Sequence, residues 1–376
     1  MSARLLLALV ASVLLSSACA QVPERITNPH FDPQKTHHTP SGFKNNDIAS
    51  VNKPLGELLR WQFEAWRDGL PKPPSAPVPT QAPDLDFIRA NRSQTAVTWI
   101  GHASTLVQAN GLNVLTDPIF SERAFPVQFA GPKRAQPPGV VLADLPPIDV
   151  VIISHNHYDH LDRLSVFALD QRAKSARQQP GTLFLVPLGL KAWFAGIGID
   201  NVVELDWWQK HSVRGTDFYL VPVQHWSARS FSDRSETLWG GWAVMGPQTQ
   251  WYFSGDAGYS KDFARTYDFF ATHRHLLPGS QATPKPALFD FALLAVGAYE
   301  PRWFMKEQHI NPAEAVQAHR DVGARRSIGV HWGTFNLTDE PLDQPPRDLA
   351  AARRAAGVPD DEFVVLKIGE TARLPR

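Results

Sequence analysis

The sequence predicts an α/β protein, and three observations carry that reading. Short runs rich in Val, Ile and Leu recur from about residue 96 onward. Helical stretches and loops separate them, which is the pattern of buried strands covered by helices. Hydrophobic residues make up 43% of the 376 and charged residues 20%, a composition that supports a large core and argues against disorder.

Taken in order, the chain opens with a segment outside the fold. Arg4 gives a positive start, residues 5–15 are apolar, and small residues follow at Ser16, Ser17, Ala18, Cys19 and Ala20. The apolar run is too short to span a bilayer and reads as a secretory signal over residues 1–20. Cys19 is the only cysteine. We read it as a lipidation site, with cleavage after Ala20 as the alternative. The expectation is therefore an exported protein of the cell envelope, an outer-membrane lipoprotein or otherwise periplasmic. In either form no thiolate is left to serve an active site.

Residues 21–84 read as a polar arm, a helix and a linker. In the helix Leu55, Leu58, Leu59, Phe63 and Trp66 share one face. An apolar stripe ordinarily packs a helix onto its domain; an interfacial membrane helix is the other use of such a face. The prolines at 71, 73, 74, 77, 79 and 83 exclude helix and give an extended linker.

Residues 85–376 form the main domain. Strands are expected at 96–100, 114–116, 150–153, 183–186, 218–223, 250–254, 293–296 and 327–330, with helices at 165–177 and 312–321. Asn110-Gly111 between two apolar runs signals a hairpin.

Lys+Arg and Asp+Glu both number 37. That balance argues against nucleic acid as a partner, because such binding works by neutralising phosphates.

The chemistry is concentrated after the run at 150–153, where the chain reads Ser154-His155-Asn156-His157-Tyr158-Asp159-His160. Imidazole and carboxylate suit zinc and similar divalent ions. Alternate residues of an extended segment point the same way, so His155 and His157 can share one metal. Asp159 and His160, past a turn, can face a second. His225, Asp256 and His331 each follow an apolar run, the place where strand ends assemble sites. The resulting partition is His155, His157 and His225 on one ion, Asp159, His160 and His331 on the other, and Asp256 between them. Paired divalent ions suit hydrolysis, stabilising nucleophile and leaving oxygen together.

The H-x-H-x-D-H pattern at 155–160 resembles the metallo-β-lactamase superfamily. Further segments narrow the likeness: Trp99 to Ser104, Leu115 to Phe120, Gln224 to Arg229, Phe253 to Asp256, Gly297 to Met305 with Gln308 to Pro312, and His331 to Phe335. They resemble the N-acyl-phosphatidylethanolamine-hydrolysing phospholipase D family. The resemblance implies a four-layer αββα sandwich, preceded here by the arm and helix, with two zinc ions at one edge. It implies cleavage of a phospholipid substrate to phosphatidic acid and an N-acylethanolamine. The leader departs from the family, whose animal enzymes lack one; read on its own, a lipid on Cys19 would hold the protein at a membrane surface. It also implies substrate contact by Tyr158 and His309, catalytic work at Asp159, Asp256 and His309, and a buried acid at Asp117. His102 is either a similar partner or a structural histidine. Arg229 and Arg302 are candidates for phosphate binding, with surface ion pairing as the plainer role. Trp207, Trp208, Trp226, Trp239, Trp242 and Trp303 are core residues or an acyl groove. Two alternatives stay open: a metal-dependent lactonase or phosphodiesterase on a soluble substrate, and a non-catalytic envelope lipoprotein.

Overall fold

The computed structural model describes residues 26–48, 50–273 and 286–374. The expected signal segment and Cys19 lie outside the described residues. The stretch expected to be an extended arm is packed: a hairpin of β1 (His38–Thr39) and β2 (Gly42–Phe43) lies on the domain, with Phe43 N–H donating to Ser235 O at 2.8 Å. Helix α1 (Leu55–Asp68) ends on Gly69 in the left-handed region. Its docking differs from expectation. None of its residues is buried, and Leu55 and Trp66 remain 69% and 77% exposed. Contact is made instead by Trp61, whose Nε1 donates to Asp339 at 2.9 Å and whose ring lies 4.8 Å from Phe304. The polar tip of Trp61 has a partner there and the stripe does not. The proline-rich stretch runs extended beside the C-terminal segment, where Gln81 N–H and Ile368 N–H bond Ile368 O and Pro79 O in turn.

A short helix α2 (Leu85–Ala90), capped by the Asp84 carboxylate, leads into the first sheet. Its strands are β3 (Ala96–Gly101), β4 (Ser104–Ala109), β5 (Leu112–Thr116), β6 (Val150–Ile152), β7 (Leu183–Pro187) and β8 (Val202–Leu205). The β4–β5 turn is Asn110-Gly111, both residues at positive φ, as a two-residue hairpin requires. The second sheet holds β9 (Lys210–Val213), β10 (Thr216–Val221), β11 (Gly241–Met245), β12 (Gln250–Phe253), β13 (Phe291–Ala295), β14 (Ser327–Val330) and β15 (Phe363–Val365). Strand β16 (Thr371–Arg373) returns to the first sheet beside β3, so each sheet has seven strands. All eight expected runs are strands.

Why the sheets stack is visible in the alternation along one strand. Val150 and Ile152 join the core between the sheets, while Val151 and Ile153 join the core under the outer helices. Each such side chain contributes about 1.5–3 kcal/mol by leaving water. On the first sheet's outer face lie α2, α3 (Arg163–Ser175) and α4 (Lys191–Ala195), through Ile88, Val166, Leu169 and Phe194. The second sheet is covered by α5 (Asp262–His273), α7 (Pro312–Asp321) and α8 (Gln344–Ala356), with α6 (Arg302–Met305) a single turn before α7. The order is the expected αββα sandwich. Trp207, Trp239 and Trp242 are core residues, and Trp242 Nε1 donates to Ile153 O at 3.0 Å, pinning the second sheet to the exit of β6. Among the described residues no helix is long and apolar enough to cross a membrane.

Candidate metal centre

Strands β3, β5 and β6 run the same way, as do β10, β12 and β14 in the other sheet. Their C-terminal ends meet at one edge. His102 follows β3, Asp117 follows β5, the 155–160 loop follows β6, and His225, Asp256 and His331 follow β10, β12 and β14. The backbone bends sharply to deliver them. His102, Asp117 and His331 all have positive φ, a conformation that side chains other than glycine seldom take. Gly255, before Asp256, has φ +55°, and a Cβ there would stand 2.5 Å from the Ser154 Cβ.

The ring nitrogens converge. His155 Nε2 lies 2.8 Å from His157 Nδ1, which lies 3.4 Å from His225 Nε2. On the other side His160 Nε2 and His331 Nε2 are 3.1 Å apart, and each lies 3.1 Å from an oxygen of Asp256. Asp159 Oδ2 stands 3.3 Å from His160 Nε2 and 3.4 Å from His331 Nε2. Asp256 also reaches toward the first group, 3.8 Å from His155 and 3.9 Å from His225. The structure thus brings together all seven residues singled out in the sequence.

The outward nitrogens of three rings are anchored, which leaves the inward ones free for a ligand. His155 Nδ1 meets Ser154 Oγ at 2.9 Å, His160 Nδ1 meets Asp117 Oδ2 at 2.6 Å, and His225 Nδ1 meets Gln308 O at 2.9 Å. Asp117 takes the Ser154 N–H as well, at 2.7 Å. His102 holds Asp159 through Nε2 at 2.8 Å, so it is a partner of a site carboxylate.

The electrostatics suit a cation. Burial drives His102, His157 and His225 down to about 3, so they are neutral near pH 7. Asp159 and Asp256 are held well below the ordinary range; burial opposes this, and the surrounding histidines, His160 foremost, together outweigh it. Burial would lower His331, yet Asp256 pushes it up to about 9. Two inward nitrogens 3.1 Å apart cannot both aim protons at one another. A divalent cation resolves that conflict, since it accepts neutral nitrogen lone pairs and ionised carboxylates together. The donor set therefore fits metal.

Tyr158 and His309 border a cavity of about 500 Å³ that ends at His157, Asp159 and Asp256. His309 Nδ1 is buried without a hydrogen-bond partner. The two candidate arginines do other work. Arg229 donates to Asn156 O and Leu161 O, both at 2.8 Å, bracing the histidine loop from behind. Arg302 pairs with Glu314 and donates to His309 O at 2.9 Å. Sequence reasoning missed Asn45, whose side chain clamps the His225 backbone by accepting from N at 3.0 Å and donating to O at 2.9 Å. No local signal marks it. Gln308 stands in the segment that resembles the phospholipase family, although the resemblance did not single it out.

A family model described as the beta-lactamase superfamily domain matches residues 112–332. N-acyl-phosphatidylethanolamine-hydrolyzing phospholipase D 1 of Caenorhabditis elegans is 40% identical over 287 residues, covering 73% of this chain and 74% of its own length. An uncharacterised protein of Mycobacterium tuberculosis is 39% identical over 329 residues, covering 85% and 80%. Among solved structures, an isothiocyanate hydrolase from Delia radicum gut bacteria superposes with a TM-score of 0.53 at 18% identity, over 74% of this chain and 98% of that one, a likeness of fold alone. Fold, donor set and sequence agree: the chain belongs to the metallo-β-lactamase superfamily of metal-dependent hydrolases and, within it, to the N-acyl-phosphatidylethanolamine-hydrolysing phospholipase D family.

Proposed function

We propose that the protein is a zinc-dependent phosphodiesterase that cleaves N-acyl-phosphatidylethanolamine to phosphatidic acid and an N-acylethanolamine. The observation that carries this reading is the cavity. Its walls are Val51, Leu58, Trp61, Phe125, Phe304, Met305 and Leu337, and its floor is the ligand cluster. An apolar channel ending on metal ligands suits acyl chains joined to a phosphoryl group.

His155, His157 and His225 would hold one zinc ion, Asp159, His160 and His331 the other, with Asp256 shared. Bound zinc supplies a water of lowered pKa and neutralises charge growing on phosphoryl oxygens. The chain's own part is positioning. Asp117, Ser154, Gln308 O and His102 fix the ligands, and Tyr158 and His309 meet the substrate at the cavity wall. Asp159, Asp256 and His309, which line the cavity, would carry the catalytic work.

Support for a membrane partner comes from the stripe of α1. Leu55, Leu59, Phe63 and Trp66 are exposed, and the same helix lends Leu58 and Trp61 to the cavity. Lying on a lipid surface, that face would cover its apolar area and set the cavity mouth against the bilayer. Export and a lipid on Cys19 belong to the same proposal.

The test is hydrolysis of N-acyl-phosphatidylethanolamine in mixed micelles, with bound metal quantified on the same sample. The expected result is release of N-acylethanolamine, abolished by chelation, restored by zinc and dependent on acyl length. Two metals per chain without lipid cleavage would overturn it in favour of a soluble phosphodiester or lactone.

A further inference from the structure

Among the cationic side chains of the cavity wall, Arg234 stands apart. Lys53, its neighbour there, is paired with Glu307 at 2.9 Å. Arg229, behind the histidine loop, is satisfied by backbone carbonyls. Arg234 has no carboxylate within ion-pair distance among the described residues. Its one hydrogen bond is a long one, Nη2 to Val51 O at 3.4 Å, and its Nε is buried with no partner. The residue is half-buried, and a guanidinium partly withdrawn from water is ordinarily paired with a counter-charge.

The group is nevertheless held firmly. It lies over the Trp226 ring at 3.6 Å from the centroid. That indole is fixed by Nε1 donating to Gln308 Oε1 at 2.9 Å, and its ring centroid lies 4.3 Å from that of His157 in a T-shaped pair. Arg234 and His157 thus contact one ring and line the same cavity. Burial alone acts on its titration, lowering it to about 10, so it stays charged at neutral pH.

We infer that Arg234 is an anion-recognition residue, binding a phosphoryl oxygen of the ligand that occupies the cavity. A planar fork of donors suits two oxygens of one phosphoryl group, and stacking on Trp226 pre-orients it. The ligand anion supplies the counter-charge that the protein withholds. An empty cavity leaves the guanidinium uncompensated, so this residue favours anionic over neutral substrates. The inference rests on the phosphodiesterase reading for the substrate's identity, but the anion preference is also testable on the phosphomonoester product, which is not turned over.

The experiment uses the metal-loaded full chain as wild type, Arg234→Gln and Arg234→Lys. Binding of a short-chain N-acyl-phosphatidylethanolamine and of its phosphomonoester product, dihexanoyl phosphatidic acid, is measured by calorimetry, and KM and kcat are measured for the diester. Arg234→Gln is expected to weaken diester binding and raise KM by about ten- to a hundredfold, the size of a charge-assisted hydrogen bond. Metal content should stay unchanged and Arg234→Lys should recover part of the loss. A deficit confined to the phosphomonoester would assign the same phosphoryl recognition to product. Wild type that binds the diester without cleaving it, with binding lost in Arg234→Gln, would sink the phosphodiesterase reading and leave the inference standing. Equal binding of both ligands by wild type and Arg234→Gln, or no binding by wild type, would overturn it.

Discussion

Two clusters of histidine and aspartate sit in this molecule, and they solve the same electrostatic problem in opposite ways. One is the centre at the strand ends. The other joins the arm to the domain: Lys35, His37 and His38 all converge on Asp206, whose side chain is only 1% exposed. At least three ligand-type atoms gather closely in each. In the arm latch every near neighbour of a ring nitrogen is a complementary atom. His37 Nε2 meets Asp206 Oδ1 at 2.7 Å and His38 Nε2 meets Oδ2 at 3.1 Å, while Lys35 supplies a resident cation. In the centre, nitrogen faces nitrogen. The latch is complete as protein; the centre is complete only with metal. Donor type and proximity therefore do not define a metal site, and what separates the two is whether the chain already brings its own positive charge.

The largest effect expected from this contrast is His157→Ala. It removes a nitrogen that touches both His155 and His225. Bound metal should fall and hydrolysis should drop by at least about a thousandfold, several kcal/mol of transition-state stabilisation. Metal analysis and rate on one preparation decide it; full metal with retained turnover would erase the distinction between the clusters.

Next comes Asp206→Ala. It strands Lys35, His37 and His38 without their acid, and breaking a buried pair in this way costs about 3 kcal/mol. Urea unfolding should show that loss while metal content stays at the wild-type value. A drop of one metal per chain would show that the latch, too, binds an ion.

Smaller still is Asp117→Ala, which releases His160 Nδ1 and Ser154 together. Loss of such a support typically costs ten- to a hundredfold in metal affinity, roughly 1.4–2.7 kcal/mol. Competition with a chelator measures it; unchanged affinity would mean that the loop holds its shape unaided.

The same contrast explains what could be read from the sequence. The centre was legible because each ligand directly follows an apolar strand, and a strand's end is a place that a sequence marks. The latch and Asn45 were not, because their partners lie 169 and 180 residues away and a polar, aperiodic segment carries no record of distant acceptors. Helix α1 was legible as a helix from its spacing. Its docking face was not, because the stripe that predicts burial stays exposed and Trp61 makes the contact. Periodicity tells which residues share a face, and only tertiary structure tells what that face meets.

The smallest effect is the pH dependence of the latch, and its sign follows from the hydrogen bonds. His38 Nδ1 accepts the Asp32 N–H at 3.1 Å, so Nε2 carries the ring's proton toward Asp206 and the neutral tautomer is fully satisfied. A second proton on Nδ1 would face another donor. Burial accordingly lowers His38 from 6.5, more than Asp206 raises it. Asp206 is depressed below 3.8 as well: burial opposes this, and the hydrogen bonds from His37 and Lys35 prevail. Both folded values lie below the unfolded ones, so the unfolded arm binds more protons as acid is added and stability falls with pH. The His38 share is intact above 6.5 and is lost below it; the Asp206 share begins to go only below 3.8. Each group can contribute at most about 1.4 kcal/mol per pH unit. Because His37 stacks on Trp207 at 4.4 Å, limited proteolysis of the arm can be followed beside Trp fluorescence between pH 7.5 and 5. Cleavage should quicken as the pH falls through 6.5, and His38→Gln should flatten the response. An arm that loosens toward alkaline pH would reverse the sign and refute the neutral tautomer.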